Sequence, residues 1–233
     1  LYAVTISTTD GTNTIEDTQY IWVDRNNPTV NPVVNVTTKS ITVESNAADI
    51  GSGVDTIKFE LKKDDEVINT VTFSADTTEA TFDDLFDGTE YEVVITVTDK
   101  AGNVTREVVK GASAANTIET LPLIPGSLTF EEEISGDIIT PSDEIYYNDN
   151  IKTELTPGNA GTTTYVVTET VIDEHGEEHT TTKTYTESDV IPTTTGTYEI
   201  DVITDDGKNT EEVHYTIKID KTAPTSVQEP DGD

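Results

Sequence analysis

Acidic and amide side chains recur in the polar stretches of this chain, with the chemistry that binds a hard cation. Ca²⁺ prefers several oxygen ligands, which carboxylates, Asn side chains and backbone carbonyls supply. No stretch of the sequence fits the helix–loop–helix calcium pattern, so the candidate ligands are spread over separate segments. They are Asp24, Asn26, Asn27, Asp49, Asp99, Asn103, Asp205, Asp206 and Asp220. Because Asp and Asn at strand ends also form turns without any ion, structural Ca²⁺ and ion-free turns both remain open.

The histidines offer a weaker metal hypothesis. His175 and His179 are four residues apart, a spacing that presents two ligands on one face of a helix. They lie instead between two Thr-rich and Val-rich segments, and His175-Gly176 fits a two-residue hairpin turn. Because such a turn separates the two imidazoles, we predict a solvated hairpin tip.

Catalysis has no local support in the sequence. No Ser lies in the Gly-x-Ser-x-Gly context of a nucleophile elbow. Pairs of carboxylates are expected from composition alone in a chain with 46 acidic residues, so they do not indicate a glycosidase. We predict no catalytic residue and a non-enzymatic role.

The net charge of the chain limits the classes of partner that it can bind. The formal net charge is −33, which argues against binding nucleic acid and against inserting into or binding anionic membranes. It is compatible with divalent cations, with high salt, or with a surface that simply keeps the protein soluble. The sequence has no Cys, and therefore no disulfide framework. It also has no Met, signal peptide or apolar spanning segment, so we expect a segment of a longer protein.

The hydrophobic pattern predicts an all-β protein. Hydrophobic residues make up 33% of the chain and alternate with polar residues, which is typical of half-buried strands. Thr, Val and Ile favour pleated strands, and no window has helical spacing over more than about two turns. The pattern predicts strands near residues 90–98, 197–204 and 211–220, and one continuous strand over residues 144–156.

Two segments at opposite ends of the chain match without a gap. Residues 1–30 align with residues 197–226, and residues 85–105 form a weaker third copy. The aligned pairs include Tyr2 with Tyr198, Val4 with Ile200, Ile6 with Val202, Asp10 with Asp206, Asn13 with Asn209 and Asp24 with Asp220. Each copy predicts a strand, a Gly-Asn turn and a return strand, with one apolar face.

Tyr20 and Trp22 form a candidate contact surface. The alignment places Trp22 on Lys218, at an outward position of its strand. Exposed aromatic side chains stack on sugars or anchor interfaces. A local bulge that turns Trp22 inward is the alternative.

Several of these motifs resemble known families. Leu85, Gly88, Thr89 and Tyr91 resemble the tyrosine corner of fibronectin type III domains, in which a Tyr hydroxyl bonds back across the sandwich. The hairpin at residues 98–103, the DIGSGV stretch at residues 49–54 and the IDKTAPT exit at residues 219–225 resemble tandem bacterial immunoglobulin-like repeats of surface proteins. The resemblance implies tandem antiparallel β-sandwiches in an elongated array.

The predicted organisation follows from the repeats. Residues 1–27 are the last two strands of a preceding Ig-like repeat, and residues 28–111 form an Ig-like or fibronectin III-like sandwich. Residues 112–224 form a larger Ig-like sandwich, and residues 225–233 an acidic linker.

The resemblance also implies a function. We expect a non-catalytic stalk or spacer of a large bacterial extracellular surface protein, of the adhesin or S-layer type, stiffened by calcium. Its partners would be neighbouring repeats of the same chain, with self-association or a host-surface ligand bound through other domains. The alternative is an accessory carbohydrate-binding module of a secreted polysaccharide-degrading enzyme.

Overall fold

The computed structural model describes residues 1–111 and 116–224. All regular elements in these residues are β-strands, which confirms the predicted all-β class. The described residues contain no helix long and apolar enough to cross a membrane. The chain divides into two compact units between Leu121 and Pro122, and each unit is described by itself. The predicted acidic linker, residues 225–233, lies outside the described residues, as do residues 112–115 beside the predicted domain boundary.

The first unit begins with a separate hairpin. Strand β1 (Tyr2–Thr9) pairs antiparallel with β2 (Thr14–Ile21), so that Tyr2 lies opposite Ile21. Among the described strands, neither pairs with any other. All sixteen residues of the two strands are exposed.

The rest of the first unit is a β-sandwich. Its strands are β3 (Val33–Val36), β4 (Ile41–Glu44), β5 (Val54–Lys63), β6 (Glu66–Ser74), β7 (Glu79–Phe82), β8 (Glu90–Asp99), β9 (Val104–Val108) and β10 (Ile118–Glu119). One sheet has the order β3-β4-β7, and the other has the order β10-β8-β5-β6 with β9 also paired to β8. Phe59 and Ile95 from one sheet and Ile41 and Phe82 from the other lie in a single buried core.

Tyr91 forms the predicted tyrosine corner. Its hydroxyl accepts a hydrogen bond from the backbone N–H of Phe86 at 3.1 Å. The ring itself is buried in the core of the sandwich. The bond therefore fixes the loop between β7 and β8 to the start of β8.

The second unit is a sandwich of similar design. Its strands are β11 (Ser127–Glu132), β12 (Ser142–Tyr147), β13 (Ile151–Thr156), β14 (Thr162–Ile172), β15 (Glu178–Tyr185), β16 (Val190–Ile191), β17 (Gly196–Asp205) and β18 (Thr210–Ile219). The sheets have the orders β11-β13-β16 and β12-β18-β17-β14-β15. Pairing is antiparallel except between β12 and β18, which run parallel.

The prediction of one strand over residues 144–156 is wrong. β12 and β13 belong to different sheets, and the chain crosses between them at Asn148, Asp149 and Asn150. The carboxylate of Asp149 accepts the N–H of Ile134 at 2.6 Å, and the side chain of Asn150 accepts the N–H of Thr193 at 3.0 Å. These polar side chains stabilise a crossing that interrupts the ladder.

Candidate metal centre

Three predicted ligands from distant segments converge in the first unit. Asp24 follows β2, Asp49 lies in the loop between β4 and β5, and Asp99 ends β8. One carboxylate oxygen from each lies within 4.8 Å of one from each of the others. We call this group the three-carboxylate cluster.

Asp24 is positioned by two backbone amides and by a glycine. One of its oxygens accepts the N–H of Asn26 at 3.0 Å and the other accepts the N–H of Ser52 at 2.6 Å. A Cβ added to Gly51 would overlap the carboxylate of Asp24. Gly at position 51 therefore allows the chain after β2 to reach the loop between β4 and β5.

Asp49 folds its own loop. Its Oδ2 accepts the N–H groups of Gly51 at 3.1 Å and of Gly53 at 2.7 Å. Gly53 has a φ of +83°, a conformation in which glycine carries the least strain. The DIGSGV stretch is thus a turn that holds one carboxylate beside the end of β8.

Asp99 is the buried member of the three-carboxylate cluster. Its Oδ1 accepts the N–H groups of Ala101 at 2.9 Å and of Asn103 at 2.7 Å, and Asn103 Nδ2 donates to its Oδ2 at 2.7 Å. The same Nδ2 lies 3.4 Å from the backbone oxygen of Asp24. Asn103 therefore joins the β8–β9 turn to the chain that follows the first hairpin.

The electrostatics of the three-carboxylate cluster favour a positive ion. The pKa of Asp24 is lowered by hydrogen bonds from the backbone N–H groups of Asn26 and Ser52. Burial alone would raise the pKa of Asp99, and the charge of Asp24 also raises it, but hydrogen bonds from Asn103 and Ala101 bring it below its ordinary value. Among the ion pairs of the described residues, none involves a carboxylate of the cluster. Negative charge is therefore concentrated at a point where oxygen ligands are already close together.

The other predicted ligands do not join the three-carboxylate cluster. Asn26 contributes a backbone N–H, and Asn27 is exposed. In the second unit, Asp205 and Asp206 accept backbone N–H groups of their own turn, from Gly207 at 2.7 Å and from Asn209 at 2.8 Å. The carboxylate of Asp220 accepts the N–H of Thr222, which lowers its pKa.

The predicted contact residues are both at the surface. Trp22 is 81% exposed and Tyr20 is 65% exposed. Trp22 is not turned inward by a bulge, because β2 ends at Ile21 and its pairing with β1 is regular.

The hairpin tip that carries His175 and His179 is exposed, as predicted, but its turn is not the two-residue turn predicted at His175-Gly176. The tip is longer than two residues, since the N–H of Asp173 bonds to the backbone oxygen of Glu177. His179 Nε2 lies 3.1 Å and His175 Nδ1 3.9 Å from Oδ2 of Asp173. With Glu177, Asp173 and His179 form a second, exposed group of potential metal ligands.

A second tyrosine corner, which was not predicted from the sequence, lies at Tyr198. Tyr198 is buried. Its hydroxyl donates a hydrogen bond to the carboxylate of Glu169 and accepts one from the backbone N–H of Thr194 at 2.7 Å. The alignment of Tyr198 with Tyr91 was the available signal. Glu169 could not be identified because it comes from β14, which is separated along the chain from this corner.

Similarity to known proteins is found among solved structures. No family model matches the chain, and no curated protein matches it. Among solved structures, the chain is similar to a two fibronectin type-III domain segment from chicken tenascin. The sequence identity is 16% and the TM-score 0.37, and the match covers 83% of this chain and 99% of that one. The fold assignment therefore depends on the strand pairing and packing described above.

Proposed function

We propose that this chain is a non-catalytic structural segment of a bacterial extracellular surface protein, a stalk or spacer of the adhesin or S-layer type. Tandem sandwiches suit this role because the hydrogen bonds between their strands resist shear. The acidic surface keeps neighbouring molecules apart until cations bind. Surface labelling of intact source cells with an antibody against this chain tests the location. Strong labelling supports it, and labelling only after lysis contradicts it.

We further propose that Ca²⁺ binds at the three-carboxylate cluster. The observation that carries this proposal is the approach of three carboxylates from separate segments, none of which forms an ion pair among the described residues. A bound ion would join the chain after β2 to the β4–β5 loop and to the β8–β9 turn. It would therefore stiffen the connection between the first hairpin and the sandwich.

Calcium titration tests this site. Extracellular modules bind Ca²⁺ with a Kd of about 10⁻⁴–10⁻³ M. With such an affinity, about 10 mM Ca²⁺ should raise the melting temperature of the first unit by roughly 5–10 °C. The second unit should not respond, and Mg²⁺ should act more weakly because it demands a stricter octahedral geometry. Calorimetry resolves the two transitions, and an unchanged first transition at 10 mM Ca²⁺ would contradict the proposal.

Two variants make the titration specific. Asp49→Asn keeps an oxygen acceptor for Gly51 and Gly53 but removes one charge, so the fold should persist and the calcium response should fall. Asp205→Asn is the matched control, because Asp205 accepts a turn amide in the same manner outside the three-carboxylate cluster. Equal responses in the two variants would place the ion elsewhere.

Glycan binding is the second candidate function. It is favoured by the exposure of Tyr20 and Trp22, which lie two residues apart. Tyr146 and Tyr147 give no second platform, because Tyr147 packs against the core and Lys218 Nζ lies 5.7 Å from the centre of the Tyr146 ring. Polysaccharide binding that is lost on Trp22→Ala would support this function, and binding unchanged by Tyr20→Ala with Trp22→Ala would exclude this surface.

A further inference from the structure

The turns of three hairpins in this chain share one Asp–Asn contact, with the two residues three apart in the first and last hairpins and four apart in the β8–β9 hairpin. In each, an Asp accepts the backbone N–H of an Asn through one carboxylate oxygen and its side-chain amide through the other. The pairs are Asp10 with Asn13, Asp99 with Asn103, and Asp206 with Asn209. Each turn also contains a glycine with positive φ, at Gly11, Gly102 and Gly207. The first hairpin is therefore built locally like hairpins that complete the two sandwiches.

The match between the first and last hairpins extends to strand register. Tyr2 lies opposite Ile21, and Tyr198 lies opposite Ile217, which are equivalent positions in the gap-free alignment. Every cross-strand pair of β1 and β2 has an equivalent pair in β17 and β18. At the turn, the pair of Thr9 and Thr14 corresponds to the pair of Asp205 and Thr210. The two hairpins thus present the same set of positions on each face.

The two hairpins differ in burial. Tyr198, Ile200 and Val202 are at most 1% exposed, whereas Tyr2, Val4 and Ile6 are 61%, 45% and 64% exposed. Tyr2, Val4, Ile6, Ile15 and Ile21 share one side of the first hairpin, and we call this side the open face. A two-stranded hairpin is at most marginally stable alone in water, because three or more strands or a packing partner are needed to bury one side.

The second unit shows what covers such a face. Phe130 of β11 and Ile151 of β13, from the opposite sheet, lie in one buried core with Tyr198, Ile200 and Ile217. The free edge of β17 pairs antiparallel with β14, and that of β18 pairs parallel with β12. In the first hairpin, the matching edges of β1 and β2 pair with no other described strand, and the matching side is exposed.

We infer that the open face is the binding surface for a β-sandwich that lacks its own last two strands. This partner supplies an antiparallel strand beside β1, a parallel strand beside β2, and a sheet of apolar side chains over Tyr2 and Ile6. The first hairpin completes its fold in the way that β17 and β18 complete the second unit. The inference goes beyond the proposed function and does not depend on calcium.

Two polar residues on the open face fit the same template. Gln19 and Asp17 occupy the positions of Tyr215 and Val213, and both of these are only partly buried in the second unit. The fully buried apolar positions of the template, at Tyr198, Ile200, Val202, Ile217 and Ile219, correspond to Tyr2, Val4, Ile6, Ile21 and Val23, and the buried Thr204 corresponds to Thr8. The positions that must be apolar are therefore apolar in the first hairpin.

A fusion within the full chain tests the inference. Residues 122–196 are placed directly before Leu1 of the 233-residue chain, which continues the gap-free register because Leu1 aligns with Thr197. The duplicated strands then lack their own β17 and β18, and β1 and β2 take that place in the chain. Amide hydrogen exchange in β1 and β2 should slow by on the order of a hundredfold or more relative to the unfused chain.

Matched variants show which face is used. Ile6→Lys in the fusion should abolish the slowing, whereas Thr5→Lys, on the opposite side, should preserve it. A second fusion carries Asp17→Val and Gln19→Tyr to restore the template residues, so that a local mismatch cannot hide binding. Unchanged exchange in both fusions would overturn the inference.

The unfused chain gives two further outcomes. Sedimentation equilibrium reports whether it self-associates, and hydrogen exchange reports whether β1 and β2 are protected. Protection in a monomer would show that the hairpin needs no partner. Protection that appears with self-association and is lost in Ile6→Lys would show that a second copy of the chain covers the open face. Protection in a monomer and protection through self-association would each overturn the inference. Fast exchange in a monomer supports it.

Discussion

The first hairpin and the last hairpin have one local design and two different environments. Both have alternating strands in the same register and an Asp–Asn turn. One is exposed along its whole length, and the other is the centre of a five-stranded sheet. The difference shows that local sequence specifies strand, turn and register, whereas burial depends on strands that lie elsewhere.

The contrast also separates two roles of the same side chain. Tyr198 fills the core and fixes the loop before β17 through its hydroxyl. Tyr2 occupies the equivalent position with most of its ring in solvent. If burial, and not residue type, determines how much a side chain contributes to the free energy of unfolding, equivalent substitutions in the two hairpins should change that free energy by unequal amounts.

The largest expected difference concerns the apolar face. Ile200→Ala should lower the free energy of unfolding of the second unit by about 2–5 kcal/mol, because it removes fully buried methyl groups and leaves a cavity. Val4→Ala, the aligned change, should alter the stability of the first unit by less than about 0.5 kcal/mol. Urea unfolding followed by circular dichroism and by hydrogen exchange in β8 and β14 measures both. Similar losses in the two variants would contradict the comparison.

A smaller difference is expected for the tyrosine hydroxyls. Tyr198→Phe leaves the N–H of Thr194 without its acceptor and should destabilise the second unit by about 1–3 kcal/mol. Tyr91→Phe should act in the same direction on the first unit, because the N–H of Phe86 loses its acceptor. Tyr2→Phe is the control and should have no measurable effect. A loss with Tyr2→Phe as large as with Tyr198→Phe would mean that the first hairpin is packed in solution.

A further effect is expected at alkaline pH. Burial and the hydrogen bond to Glu169 raise the pKa of Tyr198 to about 12, from an ordinary 10.0. The unfolded chain therefore releases this proton first, so the contribution of Tyr198 to stability is complete below pH 10 and is lost as pH rises towards 12. Between pH 10 and about 12, the free energy of unfolding should decline with rising pH. The decline should be shallower in Tyr198→Phe. It should not disappear in that variant, because burial also raises the pKa of Tyr165. Identical slopes in the two proteins would contradict the assignment.

The sequence predicted what depends on neighbours along the chain. Alternation predicted β8, β17 and β18 closely, the repeat predicted the shared Gly-Asn turn, and the resemblance to fibronectin type III domains predicted the corner at Tyr91. It did not predict that residues 144–156 form two strands, because Asp149 and Asn150 act through Ile134 and Thr193, which are remote in sequence. Such partners become visible only in the folded sandwich.

The three-carboxylate cluster illustrates the same limit. Asp24, Asp49 and Asp99 were all identified from residue type, together with Asp205, Asp206 and Asp220. Nothing in the sequence distinguished the three that converge from the three that stabilise turns in the second unit. That distinction depends on Gly51, which lets Asp24 approach the β4–β5 loop.

Native-state amide hydrogen exchange of the unmodified chain tests the contrast between the two hairpins most directly. The amides of β17 and β18 should exchange only through global unfolding of the second unit, and those of β1 and β2 orders of magnitude faster. A monomeric chain in which β1 and β2 exchange as slowly as β17 and β18 would contradict the conclusion that burial by other strands distinguishes these hairpins.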